Sequence, residues 1–214
     1  PATRDPATGC PPEDGAASGD ASPAGRATVG IVLAAGEGSR WDGPGHKLLA
    51  PLSDGRPVIV HAVEAAVESG IGPVAVVWGA VSVADALAGL NITLVEHPGW
   101  AAGQATTLAA AISWASGRGA GSVVVGLGDQ PGATAAAWRA VAHAEASPPI
   151  AAASYDGVLR TPVRLPESVW ADLSAVGDQG ARVLMRSQPD LVQGVAVNGV
   201  PDDIDTMEEL RRWN

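Results

Sequence analysis

The sequence predicts an α/β protein in three layers, α/β/α, around a mainly parallel but mixed sheet. Short apolar, β-branched runs of strand length recur at residues 28–33, 74–78, 92–95, 122–127, 150–154 and 192–197. Stretches with helical spacing of apolar residues separate most of these runs, and such alternation builds a parallel sheet with helices on both faces. The turn Tyr155-Asp156-Gly157 directly follows one of the runs and places a hairpin, hence a mixed insertion, within that sheet.

The elements follow in chain order. Residues 1–26 are dominated by Pro, Ala, Gly, Ser and Asp without apolar periodicity, so they are expected to form a disordered tail, with residues 27–214 as the folded domain. Residues 28–33 read as a buried strand. Pro57 opens a helix that runs through Val58, Ile59, Val63 and Val67 to Gly70. Beyond the strand at 74–78, the pattern gives a helix over 81–88, a strand over 92–95 and a helix over 104–116. Strand 122–127 leads to a helix over 133–146, and strand 150–154 to the hairpin. Helices over 167–173 and 180–187, a strand over 192–197 and a helix from Thr206 complete the chain.

The length of 214 residues suits one domain with a substantial core. Aromatic residues make up 4% and Phe is absent, so that core must rest on Ala, Val, Leu and Ile. A net charge of −10 argues against a nucleic-acid polymer as partner, because such binding rests on a basic surface. The single cysteine, Cys10, excludes an intrachain disulfide and a cysteine-based zinc site. No stretch has the length and uniform hydrophobicity of a membrane span, and the first residues lack the pattern of a signal peptide. The expectation is a soluble cytoplasmic protein with no membrane partner.

The chemistry concentrates in the loop after the first strand, Leu33-Ala34-Ala35-Gly36-Glu37-Gly38-Ser39-Arg40, followed after a spacer by Lys47. In open α/β sheets ligands bind at the C-terminal ends of strands, where this loop emerges. Gly36 and Gly38 allow positive φ and close approach of backbone N–H groups to an anion, and Arg40 and Lys47 supply charge. A Gly-rich turn after a strand also occurs without any ligand. Two familiar phosphate motifs do not fit. The dinucleotide fingerprint requires a third Gly where Trp41 stands, and the P-loop requires Ser or Thr where Leu48 follows Lys47.

The pattern Leu-Ala-Ala-Gly-x-Gly-x-Arg, spacer, Lys resembles the signature of nucleotidyltransferases with a Rossmann-like, GT-A-type fold, the class of sugar-1-phosphate and cytidylyl transferases. Four later segments are similar to successive landmarks of its MobA-like branch: Gly103-Gln104-Ala105-Thr106-Thr107-Leu108, Gly128-Asp129-Gln130-Pro131, Gly177-Asp178-Gln179-Gly180-Ala181-Arg182 and Asp203-Ile204-Asp205-Thr206. That branch attaches CMP or GMP to molybdopterin. The resemblance spans roughly residues 28–213. It implies a Mg²⁺-dependent nucleotidyltransferase that moves a nucleoside monophosphate to a phosphorylated acceptor and releases pyrophosphate, with a molybdoenzyme or maturation protein as a partner.

On this resemblance Leu33, Ala34, Ala35, Gly36, Gly38, Arg40, Lys47, Gly103, Gln104, Thr106, Thr107 and Asp129 hold the nucleotide. Arg40, Lys47 and Asp129 act in catalysis, while Gln130, Pro162, Asp178 and Arg182 lie on the acceptor side. Asp129, which leaves the end of the strand at 122–127, is a Mg²⁺ ligand on this reading and a turn or helix cap on the alternative. Asp203 and Asp205, two apart in an extended segment, are either further metal ligands or the start of the last helix. Thr106 and Thr107 fit both nucleotide contacts and helix capping, and Asp178 and Arg182 fit both an acceptor site and a helix start. None of His46, His61, His97 and His143 stands at metal spacing, and structural or surface roles are expected for them. Trp41 either shields the nucleotide or pins the loop.

The chain departs from the MobA-like pattern in two places. The spacer before Lys47 is two residues longer, and Arg160-Thr161-Pro162-Val163 stands where that branch often has Gly-His-Pro or Gly-x-Pro, near the acceptor. Ala35 resembles the cytidylyl members, whereas guanylyl members usually carry a second Gly there, so CTP is favoured over GTP. Other acceptors, such as a sugar or polyol phosphate, and a non-catalytic carrier of nucleotide or cofactor are the competing readings.

Overall fold

The computed structural model describes residues 26–173 and 181–214. The predicted tail, apart from Arg26, lies outside the described residues, as do Asp178 and the rest of 174–180. Seven strands form one sheet in the order β3-β2-β1-β4-β6-β5-β7: β1 Thr28–Ala34, β2 Val74–Trp78, β3 Thr93–Glu96, β4 Ser122–Leu127, β5 Ile150–Tyr155, β6 Val158–Pro166 and β7 Val192–Ala196. Only β6 runs against the others. It pairs antiparallel with β4 and β5, and every other pairing is parallel. The hairpin turns at Asp156 and Gly157, with φ of 49° and 85°, as the Asp-Gly pair predicts.

The helices are α1 Val58–Glu68, α2 Gln104–Ser116, α3 Ala135–Ala142, α4 Arg182–Ser187 and α5 Met207–Trp213. Alternate residues of β1 face opposite layers. Val29, Ile31 and Leu33 join Leu108, Ala111 and Ala115 of α2 and Leu184 of α4. Val32 and Ala34 join Ile59, Val60 and Val63 of α1 and Trp138 and Val141 of α3. The sequence-predicted three-layer mixed sheet is what the chain forms. No helix among the described residues is long and apolar enough to cross a membrane.

Several elements differ from expectation. The helix expected over 81–88 is a run of turns: Val83 and Leu87 are buried, but within it a single N–H, that of Leu87, reaches four residues back, to the Val83 carbonyl. The apolar i, i+4 pair that looked helical serves only to pin a short connection between β2 and β3. The helix expected over 133–146 ends at Ala142, because the Arg164 guanidinium gathers the carbonyls of Ala142, Ala144 and Glu145. Residues 167–172 form a 3₁₀-helix. Pro57 caps α1 from outside its first turn.

A third, small core lies beside the sheet: Ala50, Leu52, Val58, Ile204 and Leu210, with Trp41, Met207 and Trp213 against it. It docks α5 next to the loop after β1. Thr206 caps α5 in a capping box with Glu209, so Thr206 starts the helix and the Asp205 side chain does not cap it.

The sheet tolerates Trp138 only because glycine faces it. A Cβ on Gly126 would lie 2.3 Å from Trp138 Cζ2. Gly126→Ala is therefore expected to destabilise the fold by about 1–3 kcal/mol through overpacking, measured as a lower urea midpoint with unchanged slope.

Candidate active site

The site lies where the chain order of the sheet reverses. The connection through α1 carries the chain from β1 to β2 on one side, and β4 pairs with β1 on the other, so the C-terminal ends of β1 and β4 border a crevice. A cleft of about 300 Å³ occupies it. Leu33, Ala34, Ala35, Gly36, Gly38, Arg40 and Lys47 form one side, Gly103, Gln104 and Thr107 another, and Asp129 and Asp205 the end.

The glycines of the loop differ. Gly38 has φ +70°, an angle that favours glycine, and a Cβ there would only touch the Lys47 stem at 3.4 Å. Gly36 lacks positive φ, contrary to expectation, and its Cβ position is open. His46 holds the loop in place. Its Nε2 lies 3.1 Å from the Gly36 carbonyl and its Nδ1 accepts the Leu48 N–H at 3.3 Å, so the ring is neutral with the proton on Nε2. Burial lowers its pKa, in line with that state.

At the end of the cleft Lys47, in a short 3₁₀ turn and only 8% exposed, donates to Asp129 Oδ2 at 2.5 Å and Asp205 Oδ1 at 2.6 Å. Arg40 reaches the other oxygen of Asp205 at 2.6 Å from a largely exposed position. Burial works to lower the Lys47 pKa, but the two carboxylates outweigh it and the net shift is upward. The juxtaposition is set by the backbone, since Ile204 N–H donates to the Asp129 carbonyl at 2.9 Å while the Ile204 side chain is buried in the small core. Asp129 Oδ1 is buried and has no hydrogen-bond partner.

Asp203 does not join this group as an equal. Its Oδ1 accepts a bond from Gln130 Nε2, and burial, followed by the charge of Asp129, raises its pKa. Among the described residues no three His, Cys, Asp or Glu side chains gather to hold a metal by themselves. The pair Asp129 and Asp205, with its orphaned oxygen, fits a cation that takes one or two carboxylates and completes its shell with water and phosphate oxygens.

Other expected site residues lie away from the cleft surface or at its edge. Thr106 is engaged with the preceding loop: its hydroxyl lies 2.9 Å from His97 Nε2 and 2.8 Å from the Gly103 carbonyl, and it does not line the cleft. Gln130 is buried at 1% exposure and serves as an internal bracket, donating to Asp203 and the Pro201 carbonyl and accepting from Thr161. Pro162 is buried and lines neither the cleft nor its neighbours. Arg182 is exposed at the mouth of an apolar slot that adjoins the cleft through Leu33, Gln104 and Leu127. Trp100, Glu37 and Ser39 line the cleft without having been singled out from the sequence. Trp100 falls in the connection between β3 and α2, where a lone aromatic carries no pattern of its own.

The family model of the MobA-like NTP transferase domain matches residues 30–192, which include the loop, Lys47 and Asp129. The chain belongs to this family. Among solved structures it is similar to Rv0371c of Mycobacterium tuberculosis H37Rv, with 29% identity and a TM-score of 0.74 over 87% of this chain and 97% of that one. A homologue of Rv0371c from Mycobacterium sp. strain JC1 is 30% identical, with a TM-score of 0.70 over 86% and 93% of the two chains. Rv0371c has also been solved in complex with manganese, at 27% identity, a TM-score of 0.72 and coverage of 87% and 97%. The bifunctional protein GlmU of Agrobacterium fabrum is 35% identical over 116 residues, which are 52% of this chain and only 25% of GlmU. The chain thus matches a quarter of the length of that relative.

The His46 bridge sets a pH dependence. Its folded-state pKa lies below the unfolded value of about 6.5, so the bridge contributes fully above that pH and is lost as pH falls through the folded value. Thermal melts from pH 8 to pH 5 are expected to show a fall in Tm below about pH 6.5 that is shallower in His46→Gln.

Proposed function

We propose that the protein is a Mg²⁺-dependent nucleotidyltransferase that moves a nucleoside monophosphate, CMP in preference to GMP, from the triphosphate to a phosphorylated acceptor. Molybdopterin is the first acceptor to test, with a molybdoenzyme or its maturation protein as the recipient, and the soluble cytoplasm as the setting. The observation that carries the reading is the arrangement at one end of the cleft. A loop with an open Gly36 and a positive-φ Gly38 faces Lys47, and Lys47 is held by two carboxylates, one of which has an unpartnered buried oxygen. Membership in the MobA-like family and the manganese complex of Rv0371c support it.

The chain's own residues account for the work. Residues Gly36–Arg40 line the cleft, where their backbone amides would meet phosphate oxygens, and Arg40 and Lys47 bring positive charge to those oxygens as they leave Asp205 and Asp129. Bound Mg²⁺ would be held by Asp129 and Asp205 and would neutralise charge on the phosphates. An oxygen of the acceptor phosphate attacks the α-phosphorus, the bond from that phosphorus to the bridging oxygen breaks, and pyrophosphate leaves. A phosphate monoester is largely dianionic above its second pKa of ~6, so the attack needs no general base. No side chain in the cleft has to supply one. Catalysis then rests on positioning and on charge stabilisation.

The test is a thermal-shift panel of CTP, GTP, ATP and UTP with and without Mg²⁺, followed by pyrophosphate release with molybdopterin. Metal-dependent stabilisation by CTP and release of pyrophosphate are expected. Stabilisation without release would favour a carrier.

Lys47 sits on the carboxylates that a metal needs. Lys47→Met is expected to lower turnover at least about 100-fold and to raise the affinity for Mn²⁺ alone, read by calorimetric titration without nucleotide. In Gly36→Ala the unliganded Tm is expected to hold within about 1 °C while nucleotide affinity falls about tenfold or more, because the new methyl group enters only the ligand's space.

A further inference from the structure

Among the described residues, three polar links join the loop that carries Arg40 and Lys47 to the segment that carries Asp205. Arg40 Nη2 and Lys47 Nζ each reach a carboxylate oxygen of Asp205 at 2.6 Å. The third link has a neutral donor: the Met207 backbone N–H donates to Asp42 Oδ1 at 2.9 Å. Asp42 is exposed and lines neither the cleft nor the slot beside it.

The loop closes tightly on this link. A Cβ on Gly43 would lie 2.4 Å from Met207 Sδ and 2.7 Å from Trp41 Cζ2, so the backbone at 43 packs directly on the residue whose N–H Asp42 holds. Trp41 Nε1 donates to the Pro44 carbonyl at 3.3 Å and keeps the turn in that shape. On its other side the segment is fixed by the Ile204 N–H to Asp129 carbonyl bond and by Glu209, whose carboxylate accepts the Asp205 and Thr206 N–H groups at 2.8 Å and 2.9 Å. Those bonds tie Asp205 to β4 and α5, and none of them reaches the loop.

We propose that Asp42 is a positioning residue, which keeps Asp205 set against the loop once the two cations on Asp205 turn to phosphate. This rests on the nucleotidyltransferase reading and adds to it a residue that touches no ligand. In the unliganded protein the Asp42 bond is redundant, because Arg40 and Lys47 already hold Asp205 to the loop. With a triphosphate bound, both cations leave Asp205 for phosphate oxygens, and the connection falls to the Asp42 bond and the packing of Met207. The bond therefore acts when the carboxylate must meet a metal ion. Removing a partner that orients a metal-binding side chain without touching the metal costs about 10–100-fold in metal affinity.

The test titrates Mn²⁺ by calorimetry into CTP-saturated wild type, Asp42→Ala and Asp42→Asn, with CTP affinity in the absence of metal and ligand-free thermal melts measured on the same samples. Ala removes the acceptor, whereas Asn keeps an oxygen that takes the Met207 N–H without the charge. Asp42→Ala is expected to weaken Mn²⁺ in the CTP complex by about tenfold or more, with metal-free CTP affinity within about twofold of wild type. Its ligand-free Tm is expected to stay within about 4 °C, because Asp42 is exposed and the ion pairs remain. Asp42→Asn is expected to bind Mn²⁺ within about threefold of wild type. Wild-type Mn²⁺ affinity in the CTP complex of Asp42→Ala, whatever its Tm, makes the bond a purely structural one and overturns the proposal. An Asn variant as weak as Ala assigns the effect to charge and overturns it too. Absence of CTP binding by wild type overturns the underlying reading, and this proposal with it, whereas failure of the Asp42 arms alone leaves that reading intact.

Discussion

One buried ammonium organises this protein. Lys47 joins Asp129, at the end of a central strand, to Asp205, just ahead of the last helix, and so ties distant parts of the chain to the loop between them. Two carboxylates brought this close with no cation between them would repel each other in a poorly solvated space, and a buried lysine without them would lose its charge. Each group is tenable because the others are there.

The rest of the structure keeps that cluster in position. The parallel pairing of β1 with β4 aligns Leu33 with Leu127, so the loop after one strand and the Asp129 turn after the other leave the sheet side by side. The small core around Ile204 and Leu210 fixes the C-terminal segment, and the Ile204 N–H to Asp129 carbonyl bond sets its register against β4. Gln130, bridging Thr161, Asp203 and the Pro201 carbonyl, locks the bulged strand to that same segment. The cleft and the apolar slot beside it are therefore fixed by one set of buried bonds.

Glycine and arginine act here through what they leave open. Gly36 has neither the backbone angle nor the crowding that would demand glycine, and it borders the open cleft. Arg160 and Arg182 line a polar cleft together with Asp202, Asp203 and Glu209 without pairing to them. Arg164 shows the opposite use, buried among four backbone carbonyls and spent on holding the end of α3.

The sequence by itself determined the layered α/β fold and most of its strands, because strand periodicity is a local property that survives without the fold, and it singled out the loop, Lys47, Asp129 and Asp205 as candidates. It did not determine that residues 81–88 would be turns or that α3 would stop at Ala142, since burial of Val83 and Leu87 and capture of carbonyls by Arg164 are tertiary events that override helical spacing. It left open which of Asp203, Asp205 and Thr206 would cap the last helix, and it placed Thr106, Gln130 and Pro162 at a ligand when their side chains are engaged or buried within the protein. Only the tertiary structure decided these roles. The direction a side chain takes depends on the partner it meets across the fold, and residues 47, 129 and 205 meet only when the sheet and the small core close together.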